Sequence, residues 1–151
     1  MLKLKIPPAV ITLFFASLMW LIDNYIHLHG TGFRGFSWLA ISLFATGVMI
    51  GLVGLIQFYR KSTSISPHKP DSASSLIESG IYRFSRNPMY LALLLILISY
   101  GVYLGNILVI LILPLFVLYM NYFQIIPEEE ALQHKFGKEF EKYRSKVRRW
   151  I

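Results

Sequence analysis

The sequence predicts an all-α integral membrane protein with four transmembrane helices and a C-terminal amphipathic helix. Three observations predict it. The chain of 151 residues is 55% hydrophobic with a mean hydropathy of +0.53, too apolar for an ordinary soluble domain. Four long apolar runs alternate with polar or glycine-containing breaks. The basic residues behind the net charge of +7 flank those runs and form no aromatic-interleaved groove. They therefore point to membrane orientation and anionic lipid rather than to nucleic acid. One compact unit, residues 1–151, suits this length. The absence of cysteine excludes disulfides, thiolate zinc sites and a cysteine nucleophile.

Taken in order, Lys3 and Lys5 precede Pro7-Pro8 and the apolar run Ala9–Ile22. Asp23-Asn24-Tyr25 follows without a small-residue cleavage pattern, so about 7–28 reads as a first span rather than a signal peptide. Thr31–Gly35 reads as a glycine-rich turn. The second span, about 36–59, contains Gly47-x-x-x-Gly51, a close-packing face that can serve within the chain or between chains. Trp38 and Tyr59 near its ends suit the two interfaces. Arg60–Ser79 is rich in Ser and Pro and lacks apolar periodicity, which predicts a water-exposed loop.

Spans three and four, about 88–104 and 107–126, are separated only by Gly105-Asn106 and must form a tight hairpin. Pro114 should kink the fourth span. The kink either opens room for a ligand or is simply tolerated. Beyond it, Leu132, Phe136, Phe140, Tyr143 and Val147 recur at spacings of four and three. That is one apolar stripe of an amphipathic helix, lying on the membrane or capping the bundle and weakened at Gly137. With four spans, fourteen of the fifteen Lys and Arg fall on one side. The positive-inside bias makes that side, and both termini, cytoplasmic.

Functional candidates concentrate in Gly80–Tyr90 and Glu128–Glu130. Gly80 permits a turn, and Pro88 suits the first turn of a helix. Arg86 and Asn87 then sit at a helix mouth whose unpaired N–H groups favour an anion. Glu128 and Glu129 can pair with an ammonium or accept from sugar hydroxyls, and Tyr82 and Tyr90 offer aromatic faces to a cation. A ligand carrying a carboxylate, an ammonium, a ribose and a sulfonium satisfies that set, and S-adenosylmethionine is such a ligand. The same residues also suit plainer work. Arg and Glu beside a membrane helix serve as interfacial anchors, tyrosines as belt aromatics, and acidic residues as complements to a helix dipole. His27, His29, His68 and His134 are scattered, which argues against a metal site.

The stretch Ser79–Leu91 resembles the Arg-His-Pro-x-Tyr region of isoprenylcysteine carboxyl methyltransferases and related phospholipid N-methyltransferases. Ile126–Leu132, Phe136–Tyr143 and Val147–Trp150 are similar to that family's Glu-Glu-x-x-Leu, Phe-Gly-x-x-Tyr and terminal basic segments. The resemblance covers about residues 76–151. It implies a membrane-embedded, S-adenosylmethionine-dependent methyltransferase. It also implies a cofactor pocket built from Tyr82, Arg86, Asn87, Pro88, Tyr90, Glu128, Glu129 and the C-terminal helix. The sequence departs from the family at Asn87, where many relatives have His, and at Phe140, where Tyr is usual. The chain also shows fewer apparent spans than some relatives.

These readings lead to methyl transfer onto a lipophilic acceptor. A carboxylate acceptor, such as an isoprenylcysteine, needs no base but does need a cation, for which Arg148 or Arg149 is available. An amine acceptor, such as phosphatidylethanolamine, must first lose a proton, to Glu129 or a tyrosine. Without His at 87 the carboxylate is the preferred acceptor, with Arg86, Glu129 and Arg148 as the catalytic candidates. The competing class is a non-catalytic bundle or a small exporter. Proton-coupled export needs a deep ionisable residue, and the spans have none near mid-depth. Oligomeric state stays open.

Overall fold

The computed structural model describes residues 4–26, 37–60 and 76–151. The expected turn at 31–35, most of the loop at 60–79, Arg34, and His27, His29 and His68 lie outside them. Every element among the described residues is helical. Helix α1 is Pro8–Tyr25 and α2 is Ser37–Arg60. A 3-10 turn, Gly80–Arg83, leads into α3, Pro88–Leu104. Then come α4 (Ile107–Ile110), α5 (Ile112–Met120), a π-helical turn at Asn121–Ile125, α6 (Ile126–Phe136) and α7 (Lys138–Lys146).

Among the described residues, three helical stretches are long and apolar enough to cross a membrane: Pro8–Tyr25, Ser37–Arg60 and Ile107–Phe136. The third expected span, α3, has only 17 residues, about 25 Å of helix against roughly 30 Å of hydrocarbon. The outward faces are apolar as well, with Leu13, Phe14, Ile41, Phe44, Met49 and Ile56 all exposed.

Two expectations are corrected by the backbone. The helix that carries the fourth apolar run does not end near 126. Helix continues from it through Glu128–Glu130 to Phe136. Pro127 lacks the N–H that would bond the Phe123 carbonyl, and that carbonyl instead accepts the Leu4 N–H at 3.0 Å. The π turn just before absorbs the mismatch, since Ile126 N–H reaches back to Asn121 O. The polar tail is likewise not one helix, because Gly137 adopts φ +50° and divides α6 from α7. Pro114 acts one turn upstream, where its ring opposes the Ile110 carbonyl and helix is interrupted at Leu111. Ile110, Leu111 and Pro114 line neither the cavity beside Arg86 nor the one beside Ser99.

The core gathers Ile11, Phe15 and Met19 of α1, Leu97 and Leu104 of α3, and Val109, Phe116 and Met120 of the last apolar run. Gly47 and Gly51 pack within the chain, against α3. A Cβ on Gly47 would lie 3.0 Å from the Ala92 carbonyl oxygen. Ser99 Oγ donates to Ala40 O at 2.7 Å across the same interface. At one end of the bundle, Asn106 caps α4 through Leu108 N–H and donates to Asp23 Oδ1 and Ile26 O. At the other end lie the start of α1, the end of α2, the start of α3 and α6. Residues from all four line a single cavity there.

Candidate functional site

Gly80 opens the site with φ +63°, a conformation that favours glycine. Its missing side chain leaves room for Gln57, the lone amide late in α2, whose Oε1 accepts the Ile81 N–H at 3.2 Å. The turn buries Tyr82. Tyr143 of α7 donates its hydroxyl to Tyr82 O at 2.7 Å. Burial pushes both phenols above their ordinary range, with Glu128 adding to the effect at Tyr82.

Arg86 is the hub. Its Nε and Nη2 donate to Glu129 Oε1 at 3.2 and 2.7 Å. Its Nη1 donates to the carbonyls of Arg144 and Val147 at 3.1 and 2.6 Å, closing the end of α7. Only one guanidinium N–H is left uncommitted. Asn87 precedes α3, and its Nδ2 donates to Arg149 O at 3.0 Å. Pro88 occupies the first position of α3 and is buried.

The two glutamates divide the work. Glu129 is buried and takes a second guanidinium, with Arg149 Nη2 at 2.7 Å from Oε2 and Arg149 Nε at 3.2 Å from Oε1. Glu128 points elsewhere, because successive helical residues are rotated by about 100°. It accepts the Tyr90 hydroxyl and, among the described residues, forms no ion pair.

The structure thus brings Tyr82, Arg86, Asn87, Pro88, Tyr90, Glu128 and Glu129 to the wall of one cavity of about 570 Å³. It does not bring Arg148 there. That side chain is exposed, and only its backbone carbonyl takes part, accepting the Arg86 N–H at 3.0 Å. The residue that meets Glu129 is Arg149. The sequence offers both arginines, and no spacing in it separates them. Gln57 and the Tyr143 hydroxyl were not anticipated. An isolated amide in an apolar run was the available signal for the first.

Away from the polar end the cavity continues between α2 and α3. Gly47, Val48, Gly51 and Leu52 line one side, with Ala92, Leu93 and Ile96 on the other. From Pro88 to Ile96 is about 12 Å along α3, which brings the apolar end near the middle of that helix. Leu132, Phe140 and Tyr143 of the expected stripe face the cavity, so the tail caps the bundle.

Fold and site together define a helical membrane protein with a polar pocket opening into an apolar slot. The family model for phospholipid methyltransferases matches residues 36–139, more than half of the chain, and the chain belongs to that family. Its class of activity is methyl transfer onto lipophilic substrates at membranes. The chain is also 51% identical over 63 residues to a Haemophilus influenzae protein described as uncharacterized, a match covering 42% of this chain and all of that protein. No solved structure matches.

Proposed function

We propose that the protein transfers a methyl group from S-adenosylmethionine to a lipophilic acceptor, with residues 1–151 acting as one domain. In this reading α3 also crosses the membrane, making four spans in all, and the site and both termini face the cytoplasm. The observation that carries it is the cavity itself, in which a carboxyl group outside any ion pair and three tyrosines sit at the mouth of an apolar slot.

The residues fit the cofactor. The free N–H of Arg86 suits a carboxylate, and the lone pairs of Glu129 suit hydroxyls or an ammonium. The rings of Tyr82 and Tyr90 suit a sulfonium. Asn87 and Pro88 complete that wall. When bound, the cofactor supplies an electrophilic methyl group. The chain's part is to hold the acceptor in line with it and to exclude water. The apolar slot suits the acceptor's hydrocarbon chain.

The geometry favours an amine acceptor over the isoprenylcysteine carboxylate preferred on sequence alone. Arg86 is the only cation among the described residues that line the cavity, and its donors are nearly all committed. Glu129 has both oxygens on guanidinium groups. Glu128 is the carboxylate able to take a proton from an ammonium, with Tyr90 orienting it. The freed nitrogen lone pair is then the nucleophile. Carboxyl O-methylation is kept as the second reading because Asn87 supplies no imidazole to share the proton transfer.

The test pairs calorimetric binding of S-adenosylmethionine with transfer of its labelled methyl group to phosphatidylethanolamine or to a prenylcysteine. Binding with transfer to the amine, lost in Glu128→Gln, is expected. Transfer only to the prenylcysteine overturns the amine assignment. No binding by folded wild-type protein overturns the methyltransferase reading.

A further inference from the structure

The last residues of the chain, Val147–Trp150, form a strap that is tied to three separate parts of the bundle. Arg148 O accepts the Arg86 N–H, and Arg149 O accepts Asn87 Nδ2, both at 3.0 Å. Trp150 packs against the core, and its Nε1 donates to Asn121 Oδ1 at 3.1 Å in the π turn. Between these ties, Arg149 aims its guanidinium at Glu129 in a two-point pairing, Nη2 to Oε2 and Nε to Oε1. Arg149 does not line the cavity, whereas Glu129 does. The strap also lies beyond the residues that the family model matches.

We propose that Arg149 is a positioning residue that fixes the orientation of the Glu129 carboxylate from outside the cavity, so that the strap completes the cofactor wall. Arg86 contacts only Oε1 of Glu129. A carboxylate gripped at one oxygen can still turn about its terminal torsion, which is broad for glutamate. The second guanidinium engages both oxygens and removes that freedom, as a planar fork can and an ammonium cannot. Arg149 can do this only because the ties at Arg148 O, Arg149 O and Trp150 hold the strap in register.

As a consequence for ligands, the proposal rests on the reading that the cavity binds S-adenosylmethionine. The test uses the full chain in detergent and compares Arg149→Ala and Arg149→Lys with wild type, and Lys146→Ala as an exposed neighbour. Arg149→Ala should weaken S-adenosylmethionine binding about tenfold or more. It should raise KM for the cofactor and leave KM for the acceptor unchanged. Added guanidinium ion should restore part of the binding, and Arg149→Lys should recover less than wild type. A second readout needs no ligand. The carboxylate infrared bands assigned to Glu129 by difference against Glu129→Gln should shift in Arg149→Ala and not in Lys146→Ala. Unshifted bands overturn the proposal, whether or not the cofactor binds. So does a loss of binding that guanidinium does not rescue and that follows a lowered melting temperature. Wild-type protein without cofactor binding but with shifted bands overturns the methyltransferase reading and leaves the positioning role supported.

Discussion

Replacing Gly80 by alanine tests how the mouth of the site is built. Two costs can be separated. The left-handed φ of +63° disfavours an L side chain by roughly 1–2 kcal/mol. The new Cβ would lie 2.1 Å from Gln57 Nε2. Because a glutamine amide can swing away, the clash itself is relieved, but the 3.2 Å bond from Ile81 N–H to Gln57 Oε1 is lost, at about 1 kcal/mol. The sum is roughly 2–3 kcal/mol. In a Gln57→Ala background the hydrogen bond is already gone and the clash has no partner. There Gly80→Ala should cost only the backbone part, leaving a coupling of about 1 kcal/mol between the sites. Reversible unfolding in detergent measures all four corners of this cycle. S-adenosylmethionine binding should weaken in parallel, because Tyr82 follows the turn into the cavity wall. A Gly80→Ala protein within about 0.5 kcal/mol of wild type would refute the reasoning. An equal cost in both backgrounds would refute the role given to Gln57.

Gly47→Val should destabilise by about 1–3 kcal/mol, since its Cβ meets the Ala92 carbonyl oxygen at 3.0 Å and Ile96 Cγ1 at 3.1 Å. Gly51→Ala, whose Cβ would sit 3.4 Å from Ala92 Cβ, should change stability by less than about 0.5 kcal/mol, and unfolding curves compare the two. Tyr143→Phe leaves the Tyr82 carbonyl without its 2.7 Å donor. It should cost about 1–2 kcal/mol and loosen cofactor binding in the same calorimetric assay. Both buried phenols are held above their ordinary value, so the folded state favours the neutral form. That stability is fully present below about pH 10 and is lost as pH rises beyond it. The melting temperature should therefore fall in the alkaline range, and Tyr82→Phe should flatten that fall.

The architecture was largely legible because hydropathy and the charges at the ends of apolar runs are local properties. The hairpin at Gly105-Asn106 and the glycine face at Gly47 and Gly51 follow from such signals, though only the structure decided that the glycines serve an internal contact. The helix boundaries beyond Ile126 were not legible. Pro127 cannot donate to the Phe123 carbonyl, and what satisfies that carbonyl within a continuous helix is a distant donor, Leu4 N–H. The residues from Tyr82 to Glu129 that line the cavity were legible because polar groups beside a membrane helix stand out against their background. The choice between Arg148 and Arg149 was not, since both are basic, adjacent and near the end of a charged tail. It depends on which way an extended strap presents its side chains once Trp150 has docked.

The pair Glu128-Glu129 shows why a motif read as one unit can hold two chemistries. Adjacent residues on a helix face directions about 100° apart, so α6 cannot present both carboxylates to the same partner. Glu129 meets two guanidinium groups, each also held by backbone ties, and has become part of the frame joining α3, α6 and the C-terminal strap. An anion fixed in that way is a poor proton acceptor, because protonating it would leave two cations without a counter-charge. Glu128 meets a phenol instead. A neutral hydrogen-bond donor orients a carboxyl group without ion-pairing it, which leaves Glu128 without a cation of its own among the described residues. The same division explains why Arg86 is unsuited to gripping an acceptor carboxylate. Four of its five donors are spent on Glu129 and on the end of α7, and the ionisable group left without an ion pair at the cavity wall is the Glu128 carboxyl. It is this division, rather than the identity of residue 87, on which the proposed preference for an amine acceptor rests.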